Sequence, residues 1–461
     1  MNNRRSYCFI CIVLCVLCLN ISFAVTIYVP SDQPTIQAGI DAAQDGDTVL
    51  VADGTYKGEG NVNIDFMGKE ITIKSANGAN TTIVDCQSTP ETRGFIFQNQ
   101  ETNKAVLEGF TIRNGIHDFG GGIHIYDASP TINNCVISDN EATGKLLRTD
   151  GGGGIYLYNS DAIILDCIIS NNNGTGILIA GDWDKDGIVL RETRAEPSIL
   201  NSKILDNDGK GVFCTNFVSP LINQCIVSQN TDTGIEYNHH ARTETPITNC
   251  TITRNMDGGI AVHEVSALEI KNSIITFNEA KDGGGIYCSP TSVLYAYNCI
   301  IAENTATREG GGITVDSTRG SAEIVNCTIT RNIAHERGGA VSAFVEFGGL
   351  EINNSIVWGN NSFGTHDELS AISIFGRTVI KSCVIRHGLD GIGREPDDWF
   401  VYENNIDEDP LFIDPENGDF RLMENSPAAA MGANAIFSDG NPLTVTAKGK
   451  RISKWAEFKR R

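Results

Sequence analysis

The stretch Asn133-Asn-Cys135-Val-Ile-Ser-Asp-Asn140 decides the fold, because its pattern recurs along the chain. A small residue is followed by apolar residues and, five positions later, by Asn. Copies begin at Gly109, Cys135, Cys167, Ser202, Cys225, Cys250, Ser273, Cys299, Cys327 and Ser355, and a degenerate copy at Cys383 has Gly388 in place of Asn. The starts lie on average about 27 residues apart, which indicates an internal repeat rather than several unrelated domains.

A second phrase lies between the copies, as in Gly120-Gly-Gly-Ile123 and Gly310-Gly-Gly-Ile313. Residues after each phrase alternate with the period of two that is typical of strands. No interval holds a stretch long enough for a crossover helix. Short strands that recur at one period must stack on the next copy to bury their inner faces. The sequence therefore predicts an all-β parallel solenoid of about eleven coils.

In such a stack, equivalent residues lie about 4.8 Å apart and form columns. The Cys/Ser column is expected to point inward, and its cysteines to be reduced, because parallel Cβ vectors run alongside one another rather than converging. The Asn column is expected to lie at a turn. There Asn is predicted to adopt left-handed backbone angles and to bond the Asn above and below it.

The two ends of the chain differ from the repeats. Residues 1–24 carry Arg4 and Arg5, an apolar run and a small-residue end, which predicts a secretory signal peptide. A lipoprotein cleavage before Cys18 is the alternative. Residues 35–43 have the spacing of a short capping helix. The solenoid with its caps is predicted over residues 25–422, with a C-terminal extension at 423–461 whose basic end is a solvated tail or a sorting signal.

The chain is acidic, with 57 Asp and Glu against 35 Lys and Arg and a formal net charge of −22. A nucleic-acid partner is excluded by this balance, since a phosphate backbone would be repelled. No segment after the predicted signal approaches a transmembrane span. We therefore expect an exported protein, secreted, periplasmic or at the cell surface. Its surface suits cations and neutral glycans more readily than polyanions.

These features resemble the right-handed parallel β-helix of the pectin-lyase-like superfamily. The resemblance rests on the opening from Pro34 through Ala43 to Tyr56, on the repeats, and on the closing Asp409-Pro-Leu-Phe to Asn425-Ser-Pro427, which is similar to the end of exported bacterial β-helix repeat proteins of unassigned activity. The Gly-Gly-Gly-Ile phrases also look like those of chlamydial polymorphic outer-membrane adhesins. The catalytic motifs of polygalacturonases, pectate lyases and pectin methylesterases do not occur, so the resemblance implies the fold without an activity.

The segment Asp182-Trp-Asp184-Lys-Asp186-Gly-Ile188 has the alternating Asp residues and the Gly of a calcium loop. Asp182, Asp184 and Asp186 would supply carboxylates and Ile188 a carbonyl oxygen. Thr193 occupies the position of the usual bidentate Glu. We expect a Ca²⁺ site that stabilises the protein, with an exposed acidic turn as the alternative.

The strand after each Gly phrase fixes which side chains face outward. Aromatic rings there suit sugar rings, and carboxylates and imidazoles can hydrogen-bond hydroxyls or move protons. The sugar-binding candidates are Tyr156, Tyr158, Phe213 and Tyr287, and the catalytic candidates are Glu236, His239, His263, Glu264 and Asp316. His239-His240 could also ligate a metal. An ordinary polar outer face is the alternative to sugar binding and to catalysis.

These observations predict an exported, calcium-stabilised β-helix protein that binds or acts on a polysaccharide or cell-surface glycan. A paired-carboxylate glycosidase and a lyase are both compatible with the outward residues. The alternative is a noncatalytic cell-surface scaffold or adhesion protein.

Overall fold

The protein was analysed as a computed structural model, which describes residues 24–146, 149–182, 195–241, 246–317, 319–364, 368–373, 376–394 and 399–432. The predicted signal peptide, apart from Ala24, and the basic C-terminal tail lie outside these residues. Within them, three long parallel sheets dominate, which we name A, B and C. In each coil the chain forms one strand of sheet C, then one of sheet A, then one of sheet B. The predicted right-handed parallel β-helix is confirmed.

Sheet A has 15 strands within the described residues. They are Thr26–Val29, Thr48–Val51, Thr72–Ser75, Val106–Glu108, Thr131–Asn133, Ile163–Leu165, Ser198–Leu200, Leu221–Asn223, Ile247–Thr248, Ala267–Lys271, Val293–Tyr297, Ser321–Val325, Gly349–Asn353, Arg377–Lys381 and Phe400–Glu403.

Sheet B has 13 strands in the same described part of the chain. They are Gly54–Tyr56, Thr82–Asp85, Thr111–Arg113, Val136–Ser138, Ile168–Ser170, Lys203–Leu205, Ile226–Ser228, Thr251–Thr253, Ile274–Thr276, Ile300–Ala302, Thr328–Thr330, Ile356–Trp358 and Val384–Ile385.

Sheet C also has 13 described strands. They are Ile64–Asp65, Phe95–Phe97, Ile123–Tyr126, Ile155–Tyr158, Ile177–Ala180, Val212–Thr215, Ile235–Asn238, Ile260–Val262, Ile286–Cys288, Ile313–Ser317, Val341–Val345, Leu369–Ser373 and Ile392–Arg394. The strand counts are roughly consistent with the predicted eleven coils. The prediction of eleven coils did not include the first coils, because they lack the Asn phrase.

Smaller elements complete the described structure. The parallel strands Glu279–Asp282, Thr305–Glu309, Ile333–Ala334 and Asn361–Ser362 form a four-stranded sheet, and Ile116–His117 pairs with Glu141–Ala142. The antiparallel pairs are Lys145–Leu146 with Thr149–Asp150 and Phe412–Asp414 with Asp419–Leu422. Two 3₁₀ helices span Gly388–Gly391 and Pro415–Asn417.

A short helix caps the first coil, as predicted. It spans Ile36–Ala42, and the Thr35 side chain accepts a hydrogen bond from the Ala38 amide at its start. Ile36 and Ile40 are fully buried against the core. The helical spacing of these apolar residues therefore closes the open end of the solenoid.

The Cys/Ser column points into the core. Its seven cysteines are 0–1% exposed, and all ten described cysteines are buried and free. Serine substitutes in this column by donating to a nearby backbone carbonyl, as Ser273 Oγ does to Lys271 O at 2.8 Å. Sulfur and hydroxyl thus fill the same small space.

The Asn column forms a continuous buried ladder. Each Asn Nδ2 donates to the Oδ1 of the next Asn at 2.9–3.1 Å, from Asn140 to Asn360. The predicted left-handed angle is wrong for this column, because positive φ falls one residue earlier, as at Asp139 (58°) and Arg254 (59°). The Asn residues are instead held by their ladder bonds, which satisfy buried amides that would otherwise cost free energy.

The first assigned copy is out of register by one residue. Strand pairing places Thr111 beside Val136, so Phe110 and not Gly109 occupies the Cys column. Gly115 accordingly replaces Asn, and its amide donates to Asn140 Oδ1 at 2.9 Å. The backbone amide of Gly115 is therefore the first donor of the Asn ladder.

The C-terminal segment folds back over the outer face of sheet B. Its strands Phe412–Asp414 and Asp419–Leu422 form an antiparallel hairpin, and Phe412, Phe420 and Ala428 pack on outward apolar residues such as Ile300 and Ile356. The Gly432 amide donates to Asn354 O at 2.8 Å. The packed structure thus continues ten residues beyond the predicted boundary at 422.

Candidate functional site

The outer face of sheet C carries the residues that the sequence singled out. Strand register pairs His124 with Tyr156, and the same column continues through Leu178, Phe213, Glu236, Ala261, Tyr287 and Thr314. The preceding Ile or Val of each strand is buried in the core, so alternation directs this column outward. The predicted outward direction of this column is therefore correct, but six of its eight side chains are at most 8% exposed: Tyr156, Leu178, Phe213, Glu236, Ala261 and Thr314.

Four aromatic side chains form a group at the N-terminal half of this face. Tyr126 stacks on Tyr158 with ring centroids 4.7 Å apart and planes 9° from parallel, and His124 lies 5.4 Å from Tyr156. Tyr126 is 42% exposed. We call His124, Tyr126, Tyr156 and Tyr158 the aromatic group, and its exposed edge suits the apolar face of a sugar ring.

The sugar-binding candidates differ in their exposure. Tyr158 and Tyr287 are half-buried, whereas Tyr156 and Phe213 are only 7% and 1% exposed. Both buried rings belong to a small cluster with Leu178 and Ala180, against which Phe119 packs. Tyr156 and Phe213 therefore point outward but are covered, and they offer little surface to a sugar. Tyr126, which was not among the candidates, is the open ring of this face.

Arg93 lies beside the aromatic group, two residues before the strand Phe95–Phe97. The residue is 5% exposed, and its Nε has no hydrogen-bond partner among the described residues. Burial lowers the pKa of Arg93 to about 10 against the opposing effect of Glu91 and Asp118, so the guanidinium stays charged at neutral pH. A buried cation with an unsatisfied donor is costly unless a ligand completes it.

The two histidines near Arg93 are neutral at physiological pH. Burial and the Arg93 charge lower the pKa of His124 to about 4, although its ring nitrogen contacts Phe119 O at 3.3 Å. They also lower the pKa of His117. This end of the face thus carries the Arg93 charge among neutral rings, with the carboxylates of Glu91 and Asp118 near enough to act on it.

Glu236 belongs to a charged group farther along the same face. Lys210 Nζ lies 2.6 Å from Asp232 Oδ2 and 3.3 Å from Glu236 Oε2. Burial lowers the pKa of Lys210, but the two carboxylates outweigh it and raise the pKa overall. Asn238 Nδ2 also donates to Glu236 Oε1 at 3.2 Å. Glu236 is thereby fixed in an ion-paired arrangement.

His239 and Glu264 form a separate pair at the turns that follow their strands. Their Nε2 and Oε2 atoms are 2.7 Å apart, and both residues have positive φ. His240 stacks on Phe217 at 4.9 Å. The adjacent histidines therefore point to different partners, and no group of three or more His, Cys, Asp or Glu suited to a metal occurs in the described ranges.

His263, Tyr287 and Asp316 form a third group. The His263 and Tyr287 rings are 5.3 Å apart. Burial and the charges of Asp316 and Asp282 raise the pKa of Tyr287 to about 12. Burial, followed by the Glu309 charge, raises the pKa of Asp316. Asp316 is therefore the catalytic candidate whose environment favours a proton-donating carboxyl.

Two arginines border this third group. Arg308 binds Asp282 through two hydrogen bonds of 2.7 and 2.6 Å, and Arg337 Nη2 lies 2.7 Å from Glu309 Oε1. Ser342 Oγ donates to Glu309 Oε2 at 3.0 Å. The five catalytic candidates thus fall into three groups with different partners.

The predicted calcium segment is described only at its first residue. Asp182 Oδ1 accepts a hydrogen bond from the Tyr158 hydroxyl at 3.0 Å. Asp184, Asp186 and Ile188 lie outside the described residues. The Asp182 contact connects the start of this segment to the aromatic group.

Sequence reasoning missed Arg93, Lys210, Arg308 and Arg337. Lys210, Arg337 and the acidic residues Asp282 and Glu309 each directly precede a Gly phrase, so their position was a usable signal. Arg93 precedes Gly94 in a coil without the Asn phrase, where no repeat alignment pointed to it. Its importance follows from burial, which appears only in the folded chain.

Fold and site together define a solenoid that presents polar and aromatic side chains along one sheet. The model of the right-handed β-helix region matches residues 60–275 and 242–372, and the chain belongs to this family. A comparison with curated proteins gives no match. Among the described residues, no helix has the length and apolar character needed to cross a membrane.

Solved structures of similar fold include three polysaccharide-related proteins. A PL6 alginate lyase in complex with a trisaccharide is 12% identical with a TM-score of 0.46, covering 92% of this chain and 97% of that chain. Pectate lyase Pel9A is 14% identical with a TM-score of 0.33, covering 88% and 91%. The A-module of the Azotobacter vinelandii mannuronan C-5 epimerase AlgE4 is 13% identical with a TM-score of 0.36, covering 71% and 91%. Identities this low concern the fold alone.

Proposed function

We propose that the protein is an exported carbohydrate-binding protein that holds a polysaccharide along the outer face of sheet C, with an acidic group of the glycan on Arg93. The observation that carries the proposal is the buried Arg93, whose Nε lacks a described partner and whose charge acts on His124 of the aromatic group. A carboxylate or sulfate would complete the guanidinium, and the Tyr126 ring, toward the other end of the neighbouring strand, would stack on another sugar of the same glycan chain.

The length of the face supports an extended ligand. Eight consecutive strands, from Ile123–Tyr126 to Ile313–Ser317, lie side by side in sheet C. At about 4.8 Å per strand they span about 35 Å, the length of several sugar units in a row. The net charge of −22 opposes polyanions at long range, so a local cation is needed to accept an acidic sugar.

Binding is tested by titrating the full chain with acidic and neutral oligosaccharides in a calorimeter. Arg93→Met, which keeps the volume and removes the charge, and Tyr126→Ala are each expected to weaken binding of an acidic oligosaccharide at least tenfold. Tyr28→Ala is the matched control, since Tyr28 is 48% exposed on the first strand of sheet A. Equal affinities for Arg93→Met and wild type would overturn the proposal.

Turnover is assayed in the same panel, by reducing ends for hydrolysis and by unsaturated products for elimination. Glu236, His239, His263, Glu264 and Asp316 are the residues proposed for chemistry, and Asp316 is the leading proton donor because its pKa is raised. Asp316→Asn should abolish any turnover and retain binding.

A noncatalytic cell-surface scaffold is the second candidate function. It is favoured by the C-terminal half of the face, where Lys210, Arg308 and Arg337 already bind carboxylates of the protein itself. Cationic side chains that are already paired with carboxylates of the protein gain little binding free energy from a substrate. Binding without product from any member of the panel would favour the scaffold.

We also propose that the segment from Asp182 to Ile188 binds Ca²⁺ and stabilises the protein. Support comes from the spacing of Asp182, Asp184 and Asp186, which matches a calcium loop. Calcium should raise the melting temperature of the wild type, and Asp184→Ala should remove most of that rise. Glu59→Ala, a change at an exposed carboxylate, is the control. An unchanged calcium response in Asp184→Ala would refute the site.

A further inference from the structure

A depression of about 220 Å³ lies on the outer face of sheet A, away from the sheet C face. It is lined by Tyr295, Ser321, Glu323, Gly349, Glu351 and Arg377, which come from four consecutive strands. Register pairs Tyr295 with Glu323 and Glu323 with Glu351, while Ser321, Gly349 and Arg377 form the neighbouring column. The strands therefore place these side chains together on one surface.

Gly349 opens the floor of the depression without being required by the fold. A Cβ at this position would meet only Arg377 O, at an ordinary contact distance of 3.6 Å, and Gly349 does not have positive φ. At Gly311, in contrast, a Cβ would lie 2.5 Å from Ile333 O. Gly349 is the first residue of the strand Gly349–Asn353, and neither packing nor backbone angle requires a Gly there, so a larger side chain can be introduced as a test.

The two carboxylates are direct neighbours on adjacent strands. Like charges in this position are unfavourable unless something lies between or above them. Asn353 Nδ2 donates to Glu351 Oε1 at 2.7 Å, which orients one carboxylate. Burial and the Glu323 charge and hydrogen bond raise the pKa of Tyr297 to about 12, so the other carboxylate is held by a hydroxyl. Both keep further lone pairs free to accept hydrogen bonds.

Tyr295 and Arg377 complete the lining. Tyr295 is 37% exposed, and its ring lies nearly parallel to that of Tyr297, with centroids 6.4 Å apart. Arg377 is exposed and contributes donors at the opposite side of Gly349. An aromatic plane, paired acceptors and a donor around an open floor are the elements that recognise a hydroxylated ring.

We propose that this depression is a second glycan-binding site, which takes one neutral pyranose unit over Gly349. Tyr295 stacks on the ring, Glu323 and Glu351 accept hydrogen bonds from its hydroxyls, and Arg377 donates to a ring or hydroxyl oxygen. The volume is below the roughly 300–1,000 Å³ of sites for larger ligands, which suits a single sugar. Two carboxylates against one guanidinium disfavour an acidic sugar.

The site is tested by calorimetric titration of the full chain with neutral gluco-, manno-, galacto- and xylo-oligosaccharides. Gly349→Val fills the floor with a side chain that the fold can accommodate, and Tyr295→Ala removes the platform. Ala267→Val is the matched control, because Ala267 occupies the same column of sheet A three strands earlier. The double variant Arg93→Met, Tyr126→Ala impairs the proposed binding face of sheet C, so any binding that it retains is assigned to the depression on sheet A.

The expected result is binding of at least one neutral oligosaccharide, weakened at least tenfold by Gly349→Val and by Tyr295→Ala. Ala267→Val and the sheet C double variant should retain that affinity. Binding lost in the double variant but kept in Gly349→Val would assign the sugar to sheet C and overturn the proposal. No binding by any neutral oligosaccharide would overturn it as well, as would a response to divalent cations alone.

Discussion

The asparagine ladder and Arg93 show two opposite ways in which this solenoid treats a buried polar side chain. Asn255 accepts from Asn230 and donates to Asn278 and Val227 O, so its amide is completed by the coils on either side. Arg93 is equally hidden from solvent, yet its Nε is left without a described partner. A buried group that the repeat satisfies stabilises the fold, whereas one that the repeat leaves unsatisfied calls for a partner from outside the repeat, such as a ligand or a water molecule.

Breaking the ladder should give the largest effect. Asn255→Leu leaves the Asn230 amide, the Asn278 Oδ1 and Val227 O short of a partner inside the core. At roughly 1–3 kcal/mol for each unsatisfied group, we expect a loss of about 4 kcal/mol in the free energy of unfolding, measured by urea denaturation.

The control for this variant is Asn249→Gly. Asn249 also bonds an Asn one coil away, Asn223, but it is exposed and has positive φ, which Gly accepts. Its loss should cost no more than about 1 kcal/mol, because water replaces the bond. Similar losses in both variants would show that burial does not distinguish the two ladders.

The C-terminal end of the ladder should be sensitive to pH. Glu368 takes the place of the next Asn, accepting from Gly359 N and Asn360 Nδ2 at 2.8 Å, and burial raises its pKa to about 7 despite these bonds. The folded state therefore binds this proton more tightly than the unfolded chain. Its contribution to stability, about 3 kcal/mol, is complete below pH 4.5 and is lost as pH rises through 7.

The pH effect is measured as the urea midpoint between pH 4 and pH 8 in wild type and in Glu368→Gln. The wild type should lose stability over this range by more than the variant, which has no proton to release. Asp85, whose folded pKa is lowered to about 2, contributes equally to both proteins, so the comparison cancels its effect. Parallel curves for the two proteins would contradict the assignment of the effect to Glu368.

Arg93 should respond with the opposite sign. Arg93→Met removes a buried charge with an unsatisfied donor and keeps most of the side-chain volume, so stability should rise by about 1–2 kcal/mol in the absence of glycan. Arg113→Met is the control, because Arg113 Nε also lacks a described partner, whereas its Nη2 lies 3.1 Å from Asp85 Oδ2, so the substitution removes an ion pair. A fall in stability for Arg93→Met would show that the guanidinium serves the fold.

The same contrast explains how far sequence reasoning reached. Residue types repeated in most coils, such as those of Cys250 and Asn255, revealed the solenoid, the inward column and the hydrogen-bonded ladder, because each copy supports the others. Features that occur only once along the chain were missed. They include Arg93 and Glu368, which ends the Asn ladder. The outward column on sheet C followed from alternation, but the burial of Phe213 depends on contacts across coils that periodicity does not encode.

The smallest effect is expected in the Cys column. Ser202, Ser273 and Ser355 already occupy it, each with its hydroxyl bonded to the carbonyl two residues earlier at 2.8 Å. Cys250 Sγ contacts the equivalent carbonyl, Thr248 O, at 3.2 Å. Cys250→Ser should therefore change the free energy of unfolding by less than about 1 kcal/mol, since the hydroxyl gains a hydrogen bond that offsets the loss of a buried sulfur.

Cys214 provides the matched control for this substitution. It is fully buried on the inner side of sheet C, outside the Ser-containing column, and burial and the Glu236 charge raise the pKa of its thiol. Cys214→Ser should cost about 1–3 kcal/mol of the free energy of unfolding. In the column of Cys214 the described coils contain no serine whose hydroxyl bonds a carbonyl, so nothing indicates an acceptor for the buried hydroxyl. Equal costs at the two positions would mean that the column tolerates serine for its size alone, and that the carbonyl contact contributes nothing.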